Sequence, residues 1–118
     1  MAAAPELPIA ILGAGFGGIG TAIRLKQSGI ESFTIYERAD EIGGTWRDNT
    51  YPGAACDVPS HVYSLSFEPH PGWTRKYSPS DEIQAYLLRL VEKWGLRRHL
   101  RLGTAIESAR FDGARGVW

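Results

Sequence analysis

The apolar residues at the start of the chain follow two different spacings. Residues 8–12 form a continuous apolar run, which is typical of a buried strand in a parallel sheet. From Phe16 to Ser28 the apolar residues recur at helical spacing, and Gly29 is a natural end for that helix. Residues 32–37 are again β-prone. This order predicts a βαβ unit.

A second helix is predicted over residues 80–94, where Ser80 can cap the N-terminus. Its apolar residues fall on one face: Ile83, Leu87, Leu90, Val91 and Trp94. Residues 99–118 then alternate in strand fashion around a turn at Asp112–Gly113, which predicts a β-hairpin.

Residues 39–79 separate these two regular parts of the chain. They are rich in proline, glycine and aromatic residues. A long irregular segment inside a compact domain is usually functional or disordered, and the aromatic content argues against disorder. We therefore expect an ordered segment that faces a ligand.

Together these patterns predict an α/β fold, a Rossmann-like parallel sheet with flanking helices and a β-hairpin extension. The length of 118 residues allows one domain at most. Because the predicted hairpin stops after a few residues at Trp118, we interpret residues 1–118 as the truncated N-terminal part of a single Rossmann-like domain.

Composition and charge exclude several classes of partner. The 13 basic residues balance the 13 acidic ones, so neither nucleic acid nor an anionic membrane is expected as the main partner. The single cysteine, Cys56, excludes an intramolecular disulfide, and the three histidines lack the spacing of metal ligands. We expect no signal peptide, no transmembrane helix, no metal site and a cytoplasmic location.

The stretch "GAGFGGIG" follows the first predicted strand and opens the first helix. Gly13, Gly15 and Gly18 have the spacing of a dinucleotide-binding turn, and Phe16 and Gly17 lie within it. The first glycine permits a tight turn, the second lets a pyrophosphate approach the backbone, and the third lets helix and strand pack closely. The helix N-terminus then attracts the anion.

Glu37 ends the second β-prone run, where an acidic side chain can accept both hydroxyl groups of an adenosine ribose. Such a carboxylate would repel a 2′-phosphate, so this site favours FAD or NAD over NADP. Taken alone, Glu37 could instead be a solvated carboxylate paired with Arg38.

The segment that follows resembles the start of flavin-dependent Baeyer–Villiger monooxygenases and of the related flavin-containing monooxygenases. The resemblance depends on four motifs: "GGTW" at 43–46, "YPG" at 51–53, "CD" at 56–57 and "HVYSLSF" at 61–67. It implies the FAD-binding domain of an enzyme that uses NADPH and oxygen to oxygenate a ketone or a soft heteroatom.

The resemblance also implies roles for individual residues. The backbone at Gly44, Thr45 and Trp46 would lie along the pyrophosphate and ribityl side of the flavin, and Tyr63 would lie close to the isoalloxazine. Seen alone, Trp46 could be a core aromatic residue and Tyr63 a strand aromatic residue. A segment dense in aromatic side chains would also keep water away from a reactive flavin.

Asp57 and Val58 are the remaining candidates that the resemblance implies. Asp57 would lie beside the flavin as a buried carboxylate and help to place a catalytic arginine from later in the chain, which makes it the catalytic candidate. Val58 would contact the flavin ring through its backbone. Asp57 could instead be an acceptor in a turn. Cys56 with His61 could suggest a nucleophile and its base, but an inert small side chain is the simpler interpretation.

These features indicate the FAD-binding portion of a Baeyer–Villiger type monooxygenase. The NADPH site is expected in the remainder of the parent chain, so this chain alone should not be active. The alternatives are an N- or S-oxygenating flavin monooxygenase, another FAD-linked oxidoreductase, and a non-catalytic dinucleotide-binding remnant.

Overall fold

The computed structural model describes residues 8–118. The first seven residues, on which the expectation of no signal peptide partly depends, lie outside the described residues. Within residues 8–118, no helix combines the length and the apolar character that a membrane crossing requires.

A three-stranded parallel sheet forms the centre of the fold. Strand β1 (Ile9–Leu12) is followed by helix α1 (Phe16–Gln27) and strand β2 (Phe33–Tyr36), and β3 (Leu100–Arg101) joins the sheet much later in the chain. The strand order is β1-β2-β3, and both pairs of neighbouring strands are parallel. The predicted βαβ unit and the Rossmann-like α/β class are confirmed.

Helix α1 packs against the sheet through residues at helical spacing. Ile19, Ala22 and Ile23 are fully buried, and the helix ends before Gly29, whose positive φ of 77° suits a residue without a side chain. Its outer side contacts helix α3 (Ser80–Lys93). A continuous core therefore runs from the sheet through α1 to α3.

Helix α3 buries the predicted apolar face, including Ile83, Leu87 and Val91. The prediction that Ser80 caps this helix is wrong. Pro79 is the N-cap and no side chain caps the helix. Ser80 is the first helical residue, and its N–H donates to the carbonyl oxygen of Ala54 at 2.9 Å. The bond that a capping side chain would supply is thus replaced by a contact with the preceding loop.

The irregular segment between β2 and α3 is ordered, as expected, and contains a short helix α2 (Thr45–Asp48). The part of the segment that follows α2 folds back on itself at a bridge between Ala55 and Pro79. The hydroxyl groups of Ser60 and Ser78, both buried, lie 2.6 Å apart and join the two arms. These contacts hold the loop against α3 without regular secondary structure.

Strand β1 is less buried than its apolar sequence predicts. Ile11 is buried, but Ile9 is 37% exposed and Leu12 is 59% exposed. Ala10 and Leu12, which lie on the side of β1 opposite Ile11, are both exposed, and β1 lies at one edge of the three-stranded sheet. Only part of the apolar surface of this strand is therefore buried within residues 8–118.

The predicted β-hairpin extension is reduced to a turn. Residues 104–111 have no regular secondary structure, and a single antiparallel bridge joins Asp112 to Val117. The turn at Asp112–Gly113 exists, but its arms do not pair further. In the tail, residues 104–118, the rings of Phe111 and Trp118 contact each other with centroids 5.5 Å apart. Both side chains stay exposed, at 53% and 81%, so no covered face stabilises the arms as strands.

Candidate functional site

The first glycine turn connects β1 to α1 and has the geometry that its spacing predicts. Gly13 has a φ of 94° and donates its N–H to the carbonyl oxygen of Tyr36 at 2.8 Å. A Cβ on Gly18 would lie 1.9 Å from the carbonyl oxygen of Gly13. Only glycine at position 18 therefore allows the helix to start this close to the strand.

The N-terminus of α1 carries no side-chain cap. Phe16, Gly17 and Gly18 form the first turn, so their N–H groups have no carbonyl partner one turn earlier in the helix. Gly15 precedes them in an extended conformation. These groups give the site a partial positive charge and several aligned donors, which suits an anionic ligand.

A second glycine turn lies directly against the first one. Gly43 donates its N–H to the carbonyl oxygen of Ala14 at 2.9 Å. Gly44 has a φ of 56°, and a Cβ there would lie 3.3 Å from the Cα of Gly15. The two turns thus approach backbone to backbone. This contact joins segments about 29 residues apart, and sequence reasoning did not predict it.

Gln84 on α3 supports the second glycine turn, and sequence reasoning missed this residue too. Its Nε2 donates to the carbonyl oxygen of Ile42 at 2.7 Å. A Cβ on Gly43 would lie 1.8 Å from its Oε1. No local signal marks a glutamine in the middle of an amphipathic helix as a support for a distant turn.

Glu37 lies at the end of β2 and reaches back to the first glycine turn. Its Oε1 accepts the N–H of Ala14 at 3.0 Å, and its Oε2 accepts the N–H of Ala39 at 2.8 Å. Only 5% of the residue is exposed. The alternative of a solvated carboxylate paired with Arg38 is therefore wrong.

The environment of Glu37 favours the ionised carboxylate. Burial alone would raise the pKa of Glu37, but the two N–H donors, with the positive charges of Arg47 and Arg38, outweigh it. The pKa of Glu37 therefore lies below its ordinary value of 4.5. The charge persists at neutral pH.

A cleft of about 200 Å³ opens beside this carboxylate. Its wall consists of the ends of β1 and β2 and the start of the tail: Leu12, Gly13, Tyr36, Glu37, Arg38, Thr104, Ala105 and Ile106. The cleft lies at the carboxyl ends of parallel strands, where open α/β sheets bind their ligands. Its size matches part of a nucleotide rather than a whole dinucleotide.

Three predicted aromatic residues form a cluster near the two glycine turns. The indole Nε1 of Trp46 donates to the hydroxyl group of Tyr63 at 3.0 Å, and their ring centroids lie 5.5 Å apart. Phe16, the first residue of α1, meets Tyr63 edge to face at 4.9 Å. Thr45 and Trp46 begin α2 directly after Gly44. The structure thus brings Phe16, Trp46 and Tyr63 together.

Asp57 and Val58 lie in the loop that follows α2. Both are exposed, so the expectation of a buried Asp57 carboxylate is wrong. The turn that follows Cys56 carries Asp57 outward, and within residues 8–118 its side chain makes no hydrogen bond or ion pair. Cys56 itself is buried, which fits the inert small side chain preferred in the sequence rather than a nucleophile.

A larger cavity of about 510 Å³ lies on the other side of α2. Its walls come from α2, from the loop that follows it and from the start of α3: Trp46, Arg47, Thr50, Tyr51, Gly53, Ala54, Pro79, Ser80, Asp81, Gln84, Ala85 and Leu88. Trp46 therefore borders both this cavity and the aromatic cluster. Sequence reasoning did not predict the contribution of α3.

A model of the NAD(P)-binding Rossmann-like domain family matches residues 11–78, which include both glycine turns and Glu37. The chain belongs to this family. The prediction of a dinucleotide-binding fold from the glycine spacing is thereby confirmed at the level of the domain family.

Two bacterial relatives match nearly the whole chain. A Baeyer–Villiger monooxygenase of Streptomyces coelicolor is 49% identical over 110 residues, covering 93% of this chain and 21% of the relative. A Baeyer–Villiger monooxygenase of Pseudomonas aeruginosa is 49% identical over 117 residues, covering 99% and 22%. The chain thus spans about a fifth of the length of these relatives. The resemblance derived from the sequence motifs is confirmed.

Solved structures of monooxygenases also superpose on most of this chain. A steroid monooxygenase bound to NADP superposes with a TM-score of 0.85 at 37% identity, covering 91% of this chain and 21% of that protein. An open crystal structure of cyclohexanone monooxygenase superposes with a TM-score of 0.84 at 37% identity, covering 91% and 22%. The Rossmann-like arrangement of this chain therefore occurs as one part of much larger monooxygenases.

Proposed function

We propose that this chain is the FAD-binding portion of a flavin-dependent, NADPH-using monooxygenase of the Baeyer–Villiger type. The observation that carries the proposal is the site at the carboxyl ends of β1 and β2. There, two glycine turns meet backbone to backbone, and a buried carboxylate stands at the neighbouring strand end. The similarity to Baeyer–Villiger monooxygenases of two bacteria supports it.

The residues at this site fit the adenosine and pyrophosphate parts of FAD. The pyrophosphate would lie at the N–H groups of Phe16 and Gly17, in the gap that the missing side chain of Gly15 leaves open. The carboxylate of Glu37 accepts one N–H on each oxygen. Each oxygen retains a free acceptor position, so both ribose hydroxyl groups could still donate to it.

The other predicted residues would surround the flavin end of the cofactor. We propose that Gly44, Thr45, Trp46 and Tyr63 line its ribityl and ring portions, and that the aromatic cluster excludes water there. When bound, FAD reduced by NADPH supplies the oxygen-activating chemistry. Asp57 and Val58 remain candidates for the ring environment, and the exposed Asp57 is free to meet a cationic partner from elsewhere.

We also propose that residues 1–118 form one incomplete domain and that further polypeptide covers it. The radius of gyration is 16.3 Å, whereas a compact domain of this length has about 13.5 Å. The partly exposed strand β1 agrees with this view, because a parallel sheet is normally covered and continued on both sides. The NADPH site and the substrate pocket would lie in that further polypeptide.

The proposed substrate is a small ketone, with oxygen as co-substrate. Oxidation of nitrogen or sulfur is the second candidate, because the sequence motifs also resemble flavin-containing monooxygenases. A ketone-to-ester conversion by the full-length protein would favour the first, and oxygenation of a heteroatom alone would favour the second. The proposed cytoplasmic location is supported by the buried, unpaired thiol of Cys56.

FAD binding to Gly15→Ala tests the site directly. A Cβ at this position would lie 3.8 Å from the Cα of Gly44, an ordinary contact, so the fold should persist. The methyl group would occupy the space proposed for the pyrophosphate. We expect the affinity for FAD, measured by flavin fluorescence on the full-length protein, to fall about 10- to 100-fold.

Gly113→Ala is the matched control, because a Cβ there would meet nothing within 4 Å. Its FAD affinity should equal that of the unchanged protein. Equal affinities in both variants would contradict the pyrophosphate site, and an unchanged protein that ignores FAD would favour the non-catalytic remnant.

A further inference from the structure

Arg47 lies between the second glycine turn and Glu37. Helix α2 begins directly after Gly44 and directs the Arg47 side chain back toward β2. One guanidinium nitrogen, Nη1, lies 3.5 Å from Oε2 of Glu37. Both side chains are largely buried, with 16% of Arg47 and 6% of Glu37 exposed. This ion pair is therefore shielded from solvent much more than a surface pair.

The guanidinium of Arg47 is also anchored within its own segment. Nη1 donates to the carbonyl oxygen of Glu41 at 2.7 Å. Nε and Nη2 both donate to Oδ1 of Asp48, at 3.0 and 2.8 Å. Three of the contacts thus hold the planar group in one orientation. The approach to Glu37 is the remaining contact, and it is the one that reaches another element of the fold.

The backbone of Glu37 is fixed independently of Arg47. Its N–H donates to the carbonyl oxygen of Arg101 at 3.0 Å, and its carbonyl oxygen accepts the N–H of Thr104 at 2.9 Å. Within residues 8–118, the side chain is held by the N–H groups of Ala14 and Ala39 and by the ion pair with Arg47. Loss of Arg47 would therefore leave the backbone hydrogen bonds of Glu37 in place and remove one of the three contacts of its carboxylate.

We propose that Arg47 is a positioning residue for the ribose-binding carboxylate, connecting the second glycine turn to the adenosine site through Glu37. The inference deepens the proposed function and rests on it. Arg47 acts in two ways. It adds to the two N–H donors in favouring the charged form of Glu37, and it draws Oε2 toward α2, so that the free acceptor positions of the two oxygens keep one orientation toward the ribose.

Two positive charges act on Glu37, Arg47 from α2 and Arg38 from its own segment. They differ in geometry, because Arg47 forms an ion pair with the carboxylate at 3.5 Å, whereas Arg38 is exposed and forms no ion pair with it within residues 8–118. Removing Arg47 should therefore weaken the preference for the charged form more than removing Arg38. Arg38→Met is therefore the matched control for the loss of a positive charge near Glu37.

A purely structural role for Arg47 is the competing explanation, because it also anchors α2 to Glu41 and Asp48. The two explanations differ in how Arg47 and Glu37 combine. If Arg47 acts through Glu37, the effect of Arg47→Met on FAD binding disappears once Glu37→Gln has removed the carboxylate. If Arg47 only supports α2, the two effects add.

FAD is the suitable probe, because a pyrophosphate diester stays ionised over the whole range from about pH 3, which is below the ordinary pKa of a glutamate side chain, to about pH 8. Affinity would be measured over this range on the full-length protein for the unchanged sequence, R47M, R47K, R38M, E37Q and the double variant R47M/E37Q. Ionised Glu37 strengthens binding without being the only contact, so the full affinity is present above the pKa of Glu37 and part of it is lost as the pH falls through that pKa. A thermal melt of each variant shows that it is folded.

We expect R47M to bind FAD about tenfold more weakly at neutral pH and to lose binding at a higher pH than the unchanged protein. R47K should recover part of both effects, because it restores the charge without the planar fork. R38M should raise the pH at which FAD affinity falls by less than R47M does. In the E37Q background, R47M should change neither the affinity nor its pH dependence.

If R47M and the unchanged protein lost FAD affinity at the same pH, the proposal would be overturned. Additive effects of R47M and E37Q on the affinity would overturn it as well. If R47M does not fold, the same comparison between R47K and R47K/E37Q decides. Failure of the unchanged protein to bind FAD would overturn the proposed function itself, so the two failures are distinguishable.

Discussion

The glycine turn between β1 and α1 and the turn at Asp112–Gly113 differ in how closely they are packed. In the first, between β1 and α1, Ala14 is fully buried, and Gly18 touches the backbone of Gly13 too closely for any side chain. In the second, at Asp112–Gly113, a Cβ on Gly113 would meet open space. Packing around a turn, rather than the presence of glycine, decides how much the fold depends on it.

The largest expected difference between the two turns concerns Gly18. Gly18→Ala places a methyl group 1.9 Å from the carbonyl oxygen of Gly13, and a backbone atom cannot move aside cheaply. We expect the free energy of unfolding to fall by about 3 kcal/mol or more. Urea unfolding followed by circular dichroism measures the change.

Gly113→Ala is the counterpart in the tail. Gly113 has no positive φ that would exclude alanine, so we expect the unfolding free energy to change by no more than about 0.5 kcal/mol. Equal unfolding midpoints for the two alanine variants would show that the first turn is not the constrained one.

A smaller effect is expected where the irregular loop meets α3. The buried hydroxyl group of Tyr86 donates to the carbonyl oxygen of Glu68 at 2.7 Å and accepts the N–H of Leu65 at 3.1 Å. Tyr86→Phe leaves the Leu65 N–H and the Glu68 carbonyl without this partner. We expect a loss of about 1–3 kcal/mol in the free energy of unfolding.

Tyr77→Phe is the matched control for this loop. Tyr77 is 45% exposed, and within residues 8–118 its hydroxyl group makes no hydrogen bond. Its removal should leave the unfolding free energy unchanged within about 0.5 kcal/mol. A comparable loss in both variants would mean that the Tyr86 hydroxyl group does not fasten the loop to α3.

Features that are determined within one element could be predicted from the sequence. The β1–α1 turn, both long helices and β2 follow from local spacing, because the glycines, the apolar period and the helix end at Gly29 act within one element. Glu37 could be predicted because its distance along the chain from Gly18 is set by one helix and one strand.

Features that depend on distant partners could not be predicted. The contact of Gly44 with Gly15, the support of Gly43 by Gln84 and the pair of Arg47 with Glu37 each join separate elements. No local pattern encodes them. The predicted hairpin failed for the related reason that strand-like alternation forms a strand only where a partner strand or a covered face exists.

The smallest expected effect is the contribution of Glu68 to the dependence of the unfolding free energy on pH. A carboxylate in the tail should make no such contribution. Burial alone would raise the pKa of Glu68, but hydrogen bonds from Lys93 and Trp94, both at 2.8 Å, outweigh it and hold the pKa below 4.5. A carboxyl group with a lowered pKa stabilises the fold fully above its ordinary pKa. The contribution is lost as the pH falls through the lowered value.

Glu68→Gln should therefore flatten the decline of the unfolding midpoint below about pH 4.5. Because Lys93 is 58% exposed, solvent screens its charge, and we expect a change of less than about 1 kcal/mol at neutral pH. Glu107→Gln, in the exposed tail, removes a carboxylate that makes no hydrogen bond within residues 8–118 and should leave the pH dependence as it was. Parallel pH curves for the two variants would show that the buried carboxylate contributes no more than a tail residue, which would remove Glu68 from the contacts that hold the loop against α3.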